Sequence, residues 1–144
     1  MKIQQISLFL ENKPGQLTEP CRILAKEGIN IRTLSLADTQ EFGILRLIVS
    51  DSGKAAGILE SAGYVVKVTE VVAIEVPDRP GGLTGVLELF ESSDVNIEYM
   101  YAFTFGRSGR AILIFRFDNP DAAIARLQAA GINVVGDVEL ATSP

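Results

Sequence analysis

The chain has 144 residues, 47% of them hydrophobic and 22% charged, which is the balance of an ordinary globular protein and excludes extended disorder. A formal net charge of -5 opposes a broad attraction to nucleic acid or anionic membrane, and no stretch reaches the roughly 18 apolar residues of a membrane span. Histidine is absent and Cys21 is the single cysteine, so the commonest general base, the commonest zinc ligand and any intramolecular disulfide are all excluded.

The opening Met1-Lys2-Ile3-Gln4-Gln5 lacks the basic-then-apolar layout of a secretory signal, and the expectation is a cytoplasmic protein without a cofactor. Ile3 to Leu10 reads as a strand. The break at Lys13-Pro14-Gly15 leads into a helix from about Gln16 to Glu27, whose apolar stripe is Leu17, Cys21, Leu24 and Ala25. Gly28 suits the left-handed residue that ends a helix, and Pro20 is tolerable because it lies near the first turn. Strands from Ile29 to Ala37 and from Ile44 to Ser50 follow, joined as a hairpin by the polar Asp38-Thr39-Gln40-Glu41. Asp51 or Ser52 caps a short helix that ends at Gly63, and Tyr64 to about Val71 forms the next strand.

The order then repeats. Leu8 to Thr18 is echoed by Ile74 to Thr84, with Pro14-Gly15 recurring as Pro80-Gly81 at an offset of 66, and Asn30-Ile31 recurs as Asn96-Ile97 at the same offset. Ile48-Val49-Ser50-Asp51 meets Phe115-Arg116-Phe117-Asp118 at an offset of 67, and Ala62-Gly63 meets Ala130-Gly131 at 68. Two single-residue insertions account for the drift, one placed in the Gly106-Arg107-Ser108-Gly109 turn and one at the start of the following helix. In the second copy the helix stripe is Leu83, Leu87 and Phe90, Asn119-Pro120 opens the second helix, and the last strand runs from Ile132 to Leu140.

The resulting fold class is α+β: two tandem ferredoxin-like βαββαβ units, with antiparallel sheets and helices on one face, covering residues 1–70 and 71–144. Tyr99, Tyr101, Phe103 and Phe105 point one way at period two, whereas Met100 and Ala102 point the other. Ile112-Leu113-Ile114-Phe115 is apolar on both sides, as in a strand buried on both faces. Association of sheets in a homodimer is the expectation that follows. The aromatic ladder could instead stack nucleobases, but only Arg107, Arg110 and Arg116 lie nearby and the acidic balance opposes it.

The turns Asn12-Lys13-Pro14-Gly15 and Asp78-Arg79-Pro80-Gly81, with Asn30-Ile31 and Asn96-Ile97 at the start of the second strand of each copy, resemble the signature of the ACT domain family. The resemblance covers nearly the whole chain and is to a stand-alone tandem-ACT protein. It implies binding of a free amino acid where the turn of one unit meets a neighbouring unit, in order to regulate an enzyme or transcription. The ligand-binding positions it implies are Asn12, Lys13, Pro14, Gly15, Gln16, Leu17, Asn30 and Ile31, and in the second copy Asp78, Arg79, Pro80, Gly81, Gly82, Leu83, Asn96 and Ile97.

The chemistry of these residues agrees. Glycine lets backbone N–H groups approach a ligand, a helix N-terminus favours a carboxylate, and Asn12 or Asp78 can accept hydrogen bonds from an α-ammonium group, Asp78 the more strongly. The plain alternative is that proline and glycine shape the turn while Asn12 or Asp78 merely caps the helix. The two turns also differ, with Asn12 against Asp78, Gln16 against Gly82 and Glu19 against Gly85, and Gln16 could contact a ligand or plug the site. Cys21 falls opposite Leu87 in the repeat and is read as a core position.

Three functions remain open at this point. The first is an amino-acid sensor, the second a ligand-free interaction module that regulates a separate enzyme. The third is a small ferredoxin-like enzyme using Lys13 or Arg79 on phosphoryl groups, against which stand one basic residue per loop and no paired carboxylates.

Overall fold

Alternating apolar residues pair the strands through their hydrogen-bond ladders and send one side-chain set under the helices. The structure, a computed structural model, describes residues 1–38, 41–103 and 109–136. The turn at residues 39–40, Phe105 and Arg107 of the expected hairpin end, and the last strand beyond residue 136 lie outside the described residues. The elements are β1 (Ile3–Glu11), α1 (Thr18–Lys26), β2 (Ile31–Asp38), β3 (Phe42–Val49), α2 (Ser52–Ser61), β4 (Val66–Pro77), α3 (Gly82–Glu88), β5 (Ile97–Phe103), β6 (Arg110–Phe117), α4 (Pro120–Ala129) and β7 (Asn133–Val135). The chain divides into two compact units, one of Gln4–Thr69 and one of the residues from Glu70 on together with Met1–Ile3. The unbroken run from Tyr64 to Val76, in which one copy passes into the next without a linker, forms the single strand β4 of 12 residues.

In the first unit the strand order is β2-β3-β1, all antiparallel, and the first residues of β4 belong to it as well. Leu8 and Leu10 of β1 and Leu45 and Leu47 of β3 pack with Leu24 of α1 and Ala55 and Leu59 of α2. In the second unit β7, β4, β6 and β5 lie in that order, again antiparallel, which is the ferredoxin-like arrangement. Its core joins Val72, Ile74 and Val76 to Phe115, Phe117, Val86, Phe90 and Leu127. Phe117 stacks on Phe115 at 5.3 Å between ring centres and meets Phe90 at 4.9 Å. Ile112 to Phe115 are buried on both faces of β6, as their sequence requires. Tyr99, Tyr101 and Phe103 are half-buried, and Met100 of the same strand packs into the helix-side core.

Two sequence readings are corrected. The first concerns the helix faces: Leu24 and Phe90 of the expected stripes are buried, but Ala25 is exposed and Leu17, Leu83 and Leu87 are 39%, 40% and 37% exposed, and Pro20 and Val86 reach the core in their place. Pro20 can serve because it occupies the third helical position, where the missing N–H has no intrahelical acceptor. Cys21 is therefore half-buried on the flank of α1, and burial pushes its thiol pKa up.

The second correction concerns the insertions. Leu47 pairs with Leu34 and Phe115 with Met100, and Asp51 and Asn119 are the N-caps of α2 and α4, so β3 and β6 correspond at an offset of 68. Both extra residues therefore fall in the β5–β6 connection and none at the following helix. Length changes there leave the ladder intact, whereas one residue inserted before α4 would rotate its buried face away.

Candidate ligand site at the strand-to-helix turns

Each turn follows the end of a core strand and is built by the same hydrogen bonds. Lys13 N–H donates to Glu11 O at 2.9 Å and Arg79 N–H to Pro77 O at 3.0 Å; Gln16 N–H donates to Lys13 O at 3.3 Å and Gly82 N–H to Arg79 O at 3.0 Å. Gly15 and Gly81 take positive φ, 85° and 88°, which a side chain would strain. The second turn is tighter, since α3 begins at Gly82 whereas the equivalent of Gly82, Gln16, lies before α1. A Cβ on Gly82 would sit 2.2 Å from the Pro77 carbonyl oxygen, so only glycine fits there.

The N-cap positions are Leu17 and Gly81. Asn12 and Asp78 are thus not cap residues, and the plain reading of them as caps is corrected by geometry: the turn places each of them before the glycine at positive φ, too early in the chain to be the first half-helical residue.

The two turns differ in charge. Lys13 Nζ pairs with Glu11 Oε2 at 2.8 Å, and this hydrogen bond raises the Lys13 pKa. At the second turn Pro77 replaces Glu11. Asp78 and Arg79 are both exposed, and among the described residues neither side chain has a hydrogen-bond or ion-pair partner. Beside this turn is a cavity of about 390 Å³, lined by Arg79, Pro80, Gly81 and Gly82 of the turn and by Glu75 and Arg110 from β4 and β6. Arg110 Nε donates to Glu75 Oε1 at 2.5 Å, with Glu75 only 19% exposed. Sequence reading missed this pair because its members are 35 residues apart and meet only once the β4–β6 register is known.

Asn12, Lys13, Gln16 and Leu17 line a smaller cavity of about 70 Å³, together with Leu36 and Gly43. Pro14, Gly15 and Asp78 on the turns and Leu83 in the first turn of α3 are exposed and line neither cavity. Asn30, Ile31, Asn96 and Ile97 follow the far ends of α1 and α3 and are not brought to the turn of their own unit. Their backbone is committed to the fold: Asn30 N–H donates to Ser50 Oγ and Asn96 N–H to Asp118 Oδ1, while Asn30 O and Asn96 O accept from Ser50 and Asp118 N–H. Asn96 and Ile97 line a separate cavity of about 470 Å³ with Leu87, Phe90 and Glu91.

Among the described residues no group of three His, Cys, Asp or Glu side chains is placed to hold a metal ion, and no helix is long and apolar enough to cross a membrane.

Two ferredoxin-like units, each with a Pro-Gly turn between its first strand and helix, define a tandem βαββαβ domain pair. Residues 1–143 match the family described as ACT domain pair, and the chain belongs to that family of regulatory domains. A crystal structure of a protein from Bacteroides thetaiotaomicron is similar over 99% of this chain and 97% of its own, with 40% identity and a TM-score of 0.91. The ligand-free regulatory subunit of aspartate kinase from Thermus thermophilus shares the fold, with 18% identity and a TM-score of 0.65 over 88% of this chain and 91% of its own. The corresponding subunit from Thermus flavus is alike at 17% identity and a TM-score of 0.62, over 89% and 92%. Comparison with proteins of curated function returns no significant match.

Proposed function

We propose that the chain is a non-catalytic regulatory protein that binds a free amino acid at its strand-to-helix turn, with residues 1–70 and 71–144 as its two units. The observation that carries this reading is the adjacent pair Asp78 and Arg79, oppositely charged, exposed and unpartnered among the described residues, of which Arg79 lines a cavity of about 390 Å³ and Asp78 precedes it in the turn. That volume lies in the range of about 300–1,000 Å³ usual for small-molecule sites. A free amino acid is a zwitterion: Asp78 accepts from its ammonium group, and Arg79 donates to its carboxylate in the forked geometry that guanidinium favours.

Leu34 and Leu36, 47% and 48% exposed on β2, support association of two copies through the second strands, and the ligand favours one assembly geometry by binding it better. A separate enzyme is the target of this regulation. A thermal-shift screen of the whole chain against the twenty free amino acids tests the reading. A selective rise in melting temperature that Asp78→Ala abolishes is expected; no response to any of the twenty overturns it and favours a ligand-free interaction module.

A further inference from the structure

Resting on that reading, we infer that the chain holds one amino acid, in the cavity of the second unit, and that the Glu75–Arg110 ion pair makes this site select monocarboxylic over dicarboxylic amino acids. Glu75 matches Phe9 at the offset of β1 and β4, and Arg110 matches Phe42 at the offset of β3 and β6; Phe9 faces Ile44 across its ladder as Glu75 faces Ile112 across its own. Where the second unit sets a charged pair beside its turn, the first sets two exposed phenylalanines, 58% and 50% accessible.

The first turn also has its cation neutralised by Glu11, and the cavity shared by Asn12, Lys13, Gln16 and Leu17 encloses about 70 Å³, the space of about two water molecules at about 30 Å³ each. Gln16 occupies the place that Gly82 leaves bare in the second turn. Charge, room and backbone access all favour the second cavity.

Selectivity follows from counting cations there. Arg79 and Arg110 both line the cavity, but Arg110 is held by the Glu75 carboxylate through Nε and by the Glu75 carbonyl through Nη2. One guanidinium, that of Arg79, is left for one carboxylate. A second carboxylate on the ligand would have to compete with Glu75 for Arg110 and would lie against a like charge. The remaining wall, from Val76, Val86 and Ile132, suits an aliphatic side chain.

Isothermal titration of the whole chain with each of the twenty free amino acids reads both points. The tightest binder is expected to be monocarboxylic, with one molecule per chain. Arg79→Gln weakens it by about tenfold or more while leaving the melting temperature of the free protein in place, because Arg79 is exposed and makes no ion pair among the described residues. Glu75→Gln frees Arg110 and raises the affinity for L-glutamate relative to that binder by about tenfold. Two molecules per chain, L-aspartate or L-glutamate as the tightest binder, or affinity indifferent to Arg79→Gln overturns the inference while leaving an amino-acid sensor intact. No binding of any of the twenty overturns both.

Discussion

Gly82 and Gly85 lie one helical turn apart in α3, and substituting alanine at each should give opposite results. A Cβ on Gly82 falls 2.2 Å from the Pro77 carbonyl oxygen, a clash of backbone against backbone that no rotamer relieves. The turn must open by about 1 Å, at the roughly 1–3 kcal/mol typical of overpacking. Loss of the 3.0 Å bond from Gly82 N–H to Arg79 O adds about 1 kcal/mol. Gly85 has nothing within 4 Å of its Cβ direction and no positive φ, so alanine there stabilises the helix by about 0.5–1 kcal/mol. The two variants should differ by about 2.5–5 kcal/mol, or roughly 5–20 °C in melting temperature for a chain of this size. Circular-dichroism melts of both variants, repeated in urea, measure this. Gly82→Ala melting at or above the parent, or Gly85→Ala melting well below it, would refute the reasoning.

Asp51 accepts from Lys54 N–H at 3.1 Å and Asn119 from Ala122 N–H at 3.2 Å, so Asp51→Ala and Asn119→Ala should each cost about 0.5–2 kcal/mol in urea unfolding. Phe117→Ala, which empties a fully buried position, should cost about 3–5 kcal/mol, whereas Phe9→Ala on the surface should stay within about 0.5. Lys13 should titrate above its ordinary value of 10.5, since its charged form is held by the Glu11 hydrogen bond. Whatever stability that pair adds is present below the ordinary lysine pKa and lost as pH rises through the raised one; NMR titration of the Lys13 side chain should show the rise disappear in Glu11→Gln. Cys21 should react with a thiol reagent at pH 8 more slowly than a free cysteine, because burial disfavours its thiolate.

The turns and elements were legible because proline and glycine punctuate the chain twice at one spacing, and an internal repeat supplies its own alignment. The core-facing side of the helices was not. Leu17, Cys21 and Leu24 make a larger apolar stripe than Pro20 and Leu24, and in a helix of 9 residues the two stripes share Leu24, so size favoured the wrong one. Register in the third strand of each copy was misread by one residue because adjacent apolar residues, as in Ile112 to Phe115, satisfy either phase. The turn residues of the candidate site could be named from sequence, but Glu75 and Arg110 could not, since they meet only across the corrected ladder.

That two copies keep matching ladders and caps while Glu75 and Arg110 in one stand where Phe9 and Phe42 stand in the other has a bearing on evolution and engineering. Duplication supplies a spare scaffold, so the side chains around one turn can drift without threatening the chemistry of its sibling. A designer inherits the same freedom: the diverged half offers the same strand-to-helix turn on a matching ladder, onto which a second specificity can be grafted by exchanging a handful of side chains.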